Sequence, residues 1–248
     1  MQRLLRHVIL YCLIASGSLS AAEIQVLSCS TMASGLEAAA QGFRSASSHG
    51  VDIAYASPPQ IQERLSTAET PGLVIATLQV LDELARAGRL NGRPVPLGRV
   101  GIGMATRPGP PLPLITDAEG LRRAVARAPT LVFNRASTGV YLDEMFERMG
   151  LASIIAPKAL RFPTMAGVFE YLLRGSGEEI GFAMITDIRM DRDLRYLGPL
   201  PTEVQSYTTY GAALMPGAPV AAEALLRWLT GPEARDAFER AGIEAVPQ

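Results

Sequence analysis

The chain has 248 residues, with 23 basic and 24 acidic side chains and a formal net charge of −1 at pH 7. Without a basic excess, no nucleic-acid partner is expected. Its two cysteines are Cys12 and Cys29, and the first falls in a segment read below as a leader, which excludes an internal disulfide and a cysteine metal site from the mature chain.

The N-terminus reads as a signal peptide. Arg3 and Arg6 precede an apolar run, Val8 to Ile14, and small residues end at Ser20-Ala21-Ala22. Cleavage is expected after Ala22. The apolar run is shorter than the roughly 20 residues a membrane span needs, so no membrane insertion is expected after cleavage. The mature chain then holds 248 − 22 = 226 residues and a charge of 21 − 24 = −3, enough for one large domain or two small ones.

Strands and helices alternate along this chain. The pattern predicts a strand over Glu23–Ser28 and a helix from Met32 to about Ala46, with Ser30 or Thr31 as its N-cap. A second strand follows over Val51–Ala56, then a helix from about Pro59 to Leu65, preceded by Ser57. A third strand over Leu73–Ala76 leads to a helix opened by Thr77 and closed at Gly88. Val100–Thr106 reads as a strand with two interior glycines. Arg107–Pro113 reads as a crossing segment, because proline lacks the ladder donor. Asp117–Arg127 is an amphipathic helix, Leu131–Phe133 a strand, and Val140–Met149 a helix. A strand near Ala159–Arg161 precedes Pro163-Thr164 and a helix over Met165–Leu173. Ile180–Met184 is a strand, and the charged stretch Arg189–Arg195 reads as a surface turn. Ser206–Leu214 reads as a further strand and second crossing, and helices over Val220–Leu229 and Pro232–Ala241 close the chain. The alternation argues for an α/β fold with helices on both faces of a mostly parallel sheet.

The stretch Leu131–Tyr141 is the strongest chemical signal. An apolar strand stops at Asn134-Arg135-Ala136-Ser137-Thr138-Gly139, where a helix begins. Hydroxyls and free N–H groups at a helix start make a ready anion site. Ser30 and Thr31, Ser57, and Thr164-Met165 stand at comparable helix starts.

Taken together, Val26–Leu36, Ile53–Ser57, Ala87–Leu90, Thr138–Tyr141, Glu179–Ala183 and Leu229–Ala234 resemble, in order and spacing, the periplasmic solute-binding proteins of the molybdate-binding branch. That branch includes aconitate isomerase, a periplasmic enzyme. The resemblance implies two α/β lobes, 23–104 with 209–248 and 105–208, joined by two crossing strands and closing over a small anion. It implies delivery to a membrane permease of the ABC type, a monomer, and neither cofactor nor metal. Carried over, the ligand contacts are Ser30, Thr31, Ser57, Ser137, Thr138, Gly139, Thr164 and Met165, with Tyr207 at the second crossing. Arg135 departs from the neutral donors typical of molybdate sites, and its guanidinium fork suits a carboxylate. Pro58 and Pro59 replace further donors. The expectation is therefore capture of an organic carboxylate, with a molybdate-type oxyanion as the other ligand class. A tricarboxylate isomerase using the same cleft is the alternative function, with no catalytic residue assignable.

Overall fold

The computed structural model describes residues 22–67, 69–109, 114–175 and 178–247. Residues 1–21 of the expected leader and the Pro110–Pro113 part of the expected crossing lie outside the described residues. In chain order the elements are β1 (Glu23–Cys29), α1 (Ala33–Ala46), β2 (Gly50–Ala56), α2 (Pro58–Ser66), β3 (Leu73–Thr77), α3 (Leu78–Arg86), β4 (Asn91–Thr106), α4 (Ala118–Arg127), β5 (Leu131–Asn134) and α5 (Ser137–Arg148). There follow α6 (Ala152–Ile155), β6 (Ala159–Phe162), α7 (Met165–Arg174), β7 (Ile180–Met184), α8 (Ile185–Met190), β8 (Arg195–Pro199), β9 (Tyr207–Leu214), α9 (Val220–Leu229) and α10 (Pro232–Ala241).

The strands form two half-sheets that share β4. One runs β2-β1-β3-β9-β4 and the other β4-β7-β5-β6, with β8 also on β4. In the first half, β1, β2 and β3 are parallel and β9 runs against them. In the second, β5, β6 and β7 are parallel and β4 runs against them. Each half is thus mostly parallel with one reversed strand, and helices cover the faces. All parallel strands of a half end on the same edge, where ligands of open α/β sheets bind.

β4 carries the chain from one half to the other. Asn91 to Gly101 pair with β9, and Ile102 to Ala105 pair with β7. The passage therefore falls inside the strand, ahead of the expected proline segment. Along its other edge, β8 and β9 run antiparallel to β4 almost end to end, broken only by the excursion between Pro199 and Tyr207. Ile102 sits at that break. Its N–H donates to Gln205 Oε1 at 2.8 Å, and its carbonyl accepts from Gln205 Nε2 at 3.0 Å and from the Leu200 N–H at 2.9 Å. One side-chain amide thus stands in for a missing strand residue. The glycines beside it make room: a Cβ at Gly101 would meet Gln205 at 3.1 Å, and one at Gly103 would meet the Tyr196 ring at 2.9 Å.

Most predicted elements appear within one to three residues of their expected ends. β4 is longer than its sequence suggests, because Pro94 and Pro96 lie where its register shifts, and bulged edge positions tolerate proline. The Arg189–Arg195 stretch is bounded by α8 and β8, neither of which was expected. Ser30 and Thr31 do not cap α1; they lie within a short 3-10 turn, Ser30–Met32, that precedes it. The core is continuous across both halves. Phe182 of β7 packs edge-on against Phe133 of β5 and Phe146 of α5 at centroid distances of 6.4 and 5.8 Å.

Gln205→Ala removes the partner of the Ile102 N–H. It should cost about 1–2 kcal/mol, because a buried donor is left unmet, measured as a lower urea midpoint with an unchanged slope.

Candidate functional site

A cleft of about 750 Å³ opens at the carboxyl ends of the parallel strands. One wall is Cys29, Ser30 and Thr31 after β1, with Ser57 and Pro58 after β2. The opposite wall is the start of α7 (Met165, Ala166, Phe169), then α8 and the turn after it (Asp187, Met190, Asp191, Arg192 and Asp193). The walls belong to different half-sheets, so the cleft lies between them.

Four of the predicted residues therefore meet here: Ser30, Thr31, Ser57 and Met165. The Thr31 side chain lies beside the buried Tyr210 hydroxyl. Tyr210 is buried, and desolvation holds its phenol well above its usual range. Ser57 precedes α2, and both its N–H and its hydroxyl donate to Gln60 Oε1, at 2.9 and 2.7 Å. A ligand taking the Ser57 hydroxyl would displace that bond. Thr164 stands just before the cleft wall, where its Oγ1 accepts from the Gly167 N–H at 3.3 Å and caps α7.

The other predicted residues lie elsewhere. Arg135 is exposed, is not among the cleft-lining residues, and donates through Nε to the Arg161 carbonyl at 3.1 Å. Ser137 is exposed at the first position of α5, which begins three residues earlier than expected. Thr138 is buried and directs its hydroxyl toward the Met184 sulfur at 3.8 Å. Gly139 is required by packing: a Cβ there would lie 1.8 Å from the Asn134 carbonyl oxygen, so only glycine lets α5 start against β5. Tyr207 carries Arg99 over its ring at 3.9 Å and donates to Glu244 Oε1 at 3.4 Å. Tyr210, three positions on, is the β9 tyrosine that lies buried behind Thr31.

Asp187 was missed. It lies on α8, partly open to the cleft and otherwise packed by protein. Among the described residues its carboxyl makes no hydrogen bond or ion pair. Arg189 on the same helix turns away, lying 5.4 Å from the Tyr196 ring centroid and donating to the Arg240 carbonyl at 3.5 Å. Burial without compensation pushes the Asp187 carboxyl from 3.8 up to about 6. Cys29, which also lines the cleft, is pushed up to about 12 by burial, outweighing a hydrogen bond from Thr77. Such a thiol stays protonated and unreactive. The charged residues lining the cleft are Asp187, Asp191 and Asp193 against Arg192. A bound anion therefore depends on hydroxyls and helix-start N–H groups, and is better tolerated when Asp187 is neutral.

This arrangement, two α/β halves joined through the shared strand β4 with a hydroxyl-lined cleft between them, defines a solute-binding protein. The chain belongs to the bacterial extracellular solute-binding protein family, whose profile matches residues 24–244. An aconitate isomerase from a Pseudomonas species is 29% identical over 248 aligned positions, covering 95% of this chain and 94% of that one. Among solved structures, the periplasmic molybdate-binding protein of Azotobacter vinelandii superposes with a TM-score of 0.72 at 16% identity, covering 91% of this chain and all of that one. PEB3, a Campylobacter jejuni protein, in its L-phospholactate-bound form superposes with a TM-score of 0.70 at 14% identity, covering 90% of this chain and all of that one. These two superpositions establish the fold.

Two outcomes follow. The folded state holds the Asp187 proton more tightly than the unfolded chain does, so this group's contribution to stability is full below about pH 4 and lost as pH rises through about 6. Asp187→Asn, which cannot ionise, should therefore be more stable than wild type by roughly 2 kcal/mol in thermal melts near neutrality, with the difference vanishing near the unfolded pKa of 3.8. Cys29 should resist a thiol reagent in the native protein and react fully once the chain is unfolded by denaturant.

Proposed function

We propose that this protein is a periplasmic solute-binding protein that captures a small anion in the cleft between its lobes, an organic carboxylate in preference to a molybdate-type oxyanion. It is exported by a leader ending at Ala22 and hands the anion to an ABC-type permease. The lobes are 23–104 with 209–248, and 105–208; the partner switch of β4 after Gly101 and the start of β9 at Tyr207 support those limits. One observation carries the reading. Hydroxyls and a helix start from separate elements, Ser30, Thr31, Ser57 and Met165, line one cleft at the strand ends of a solute-binding fold. A small anion gains donors there without a full counter-charge.

The preference for a carboxylate has two supports. Pro58 and Pro59 remove two N–H donors that a tetrahedral oxyanion cage would use. The Pseudomonas relative, aligned along nearly the whole chain, is named for an organic tricarboxylate. The same relative favours the second reading, a periplasmic isomerase of an unsaturated tricarboxylate acting in this cleft. Its chemistry is proton transfer beside a carboxylate, which needs no metal or cofactor.

Titration calorimetry with cis-aconitate, citrate, molybdate and tungstate tests the binding reading. Heat of binding with a tricarboxylate is expected, and Thr31→Ala should weaken it by roughly tenfold or more, the value of one hydrogen bond to a charged group. Absence of heat with all four anions contradicts the proposal. For the second reading, chromatography should find the trans isomer after incubation with cis-aconitate.

A further inference from the structure

We propose that Asp187 is the base that moves a proton between two carbons of an unsaturated carboxylate held in this cleft. The assignment rests on the isomerase reading and supplies the residue that reading lacks.

The geometry singles out this side chain. Asp187 lines the cleft opposite Ser30, Thr31 and Ser57, the hydroxyls expected to hold the ligand. Its neighbours leave it unengaged, with no hydrogen bond or ion pair among the described residues, and Arg189 directed to the other side of α8. A structural carboxylate at such a position would be paired, because an unpaired buried charge costs several kcal/mol. The groups sharing its surroundings are Tyr210 on β9, Cys29 at the end of β1, and Asp191, Arg192 and Asp193 in the following turn. Tyr210 is close enough for the Asp187 charge to act on its phenol, and the Thr31 side chain lies beside its hydroxyl. Tyr210 and Cys29 both stay protonated, since burial raises both. That leaves Asp187, on the wall facing these groups, able to exchange a proton near neutrality. Burial has already moved it to about 6, the range a general base needs.

The step balances without a further reactant. The ionised Asp187 takes a proton from the methylene next to a substrate carboxyl. The C–H electron pair becomes a new carbon–carbon double bond, and the old double bond shifts its pair toward the far carbon. Asp187 then returns the same proton to that carbon. Substrate and product are isomers, and Asp187 ends ionised. Donors from Thr31 and the start of α7 would steady the negative charge that spreads over the carboxylate during transfer.

The test compares wild type with Asp187→Asn, using cis-aconitate as the probe. Wild type should form the trans isomer. Asp187→Asn should remain folded and bind cis-aconitate in calorimetry, with turnover reduced by about 10²- to 10⁴-fold, the usual range for losing a general base. Turnover retained by Asp187→Asn overturns the assignment and leaves the isomerase reading standing. No turnover by wild type at high protein concentration overturns both. Should the substituted chain fail to fold, the pH dependence of wild-type kcat decides. It should fall as acid protonates the carboxyl, and a constant kcat between about pH 8 and about pH 5 overturns the assignment.

Discussion

The structure depends on β4 being able to change partners without losing backbone hydrogen bonds. A strand that leaves one half-sheet and enters another must pass a residue whose neighbour has departed. Ile102 is that residue, and the Gln205 side chain supplies the donor and acceptor that the departed strand would have supplied. An unmet pair of backbone groups there would cost a sizeable part of the net stability of a protein this size. Because β4 pairs with β9 in one half and with β7 in the other, a single strand ties the two cleft walls together. The carboxyl ends of β1 and β2 then face the start of α7 and α8 across it.

The cleft solves an electrostatic problem in an unusual way. Anion sites often rely on a guanidinium, but here the one arginine among the lining residues is the exposed Arg192, outnumbered by Asp187, Asp191 and Asp193. Attraction must come from hydroxyls and the partial positive charge of helix starts. Burial pushes the Asp187 carboxyl up to about 6, so it is readily protonated near neutrality, the state that best tolerates a nearby anion.

Much of the fold was legible because hydrophobic period and capping chemistry agree in most elements. Val220–Leu229 and Pro232–Ala241 were readable to the residue, since Gly231-Pro232 is an unambiguous break. The misses have physical causes. Pro94 and Pro96 disguise the first half of β4, which tolerates them only at register shifts. The charged run after Met190 hides β8, because its pairing with β4 is non-local and leaves its side chains half-exposed.

The candidate site was legible as a set of helix starts and illegible in its details. Ser30, Thr31, Ser57 and Met165 were readable because hydroxyls and breaks mark where strands end. Arg135 attracted attention as a fork-shaped donor, yet the direction of its side chain is set by the Arg161 carbonyl, 26 residues away in sequence. Tyr207 and Tyr210 could be told apart only by which face of β9 each occupies. Asp187 gave little signal in Ile-Thr-Asp-Ile-Arg-Met; its meaning comes from burial and from Tyr210, on another strand. In the function proposed above, Ser30, Thr31, Ser57 and the start of α7 together hold an organic anion. A crystal structure of the protein grown with cis-aconitate tests it most directly. Ligand carboxylates are expected within hydrogen-bonding distance of Thr31 and of the first N–H groups of α7; a ligand seated instead at Arg135, or on Arg99 beside Tyr207, would contradict that placement.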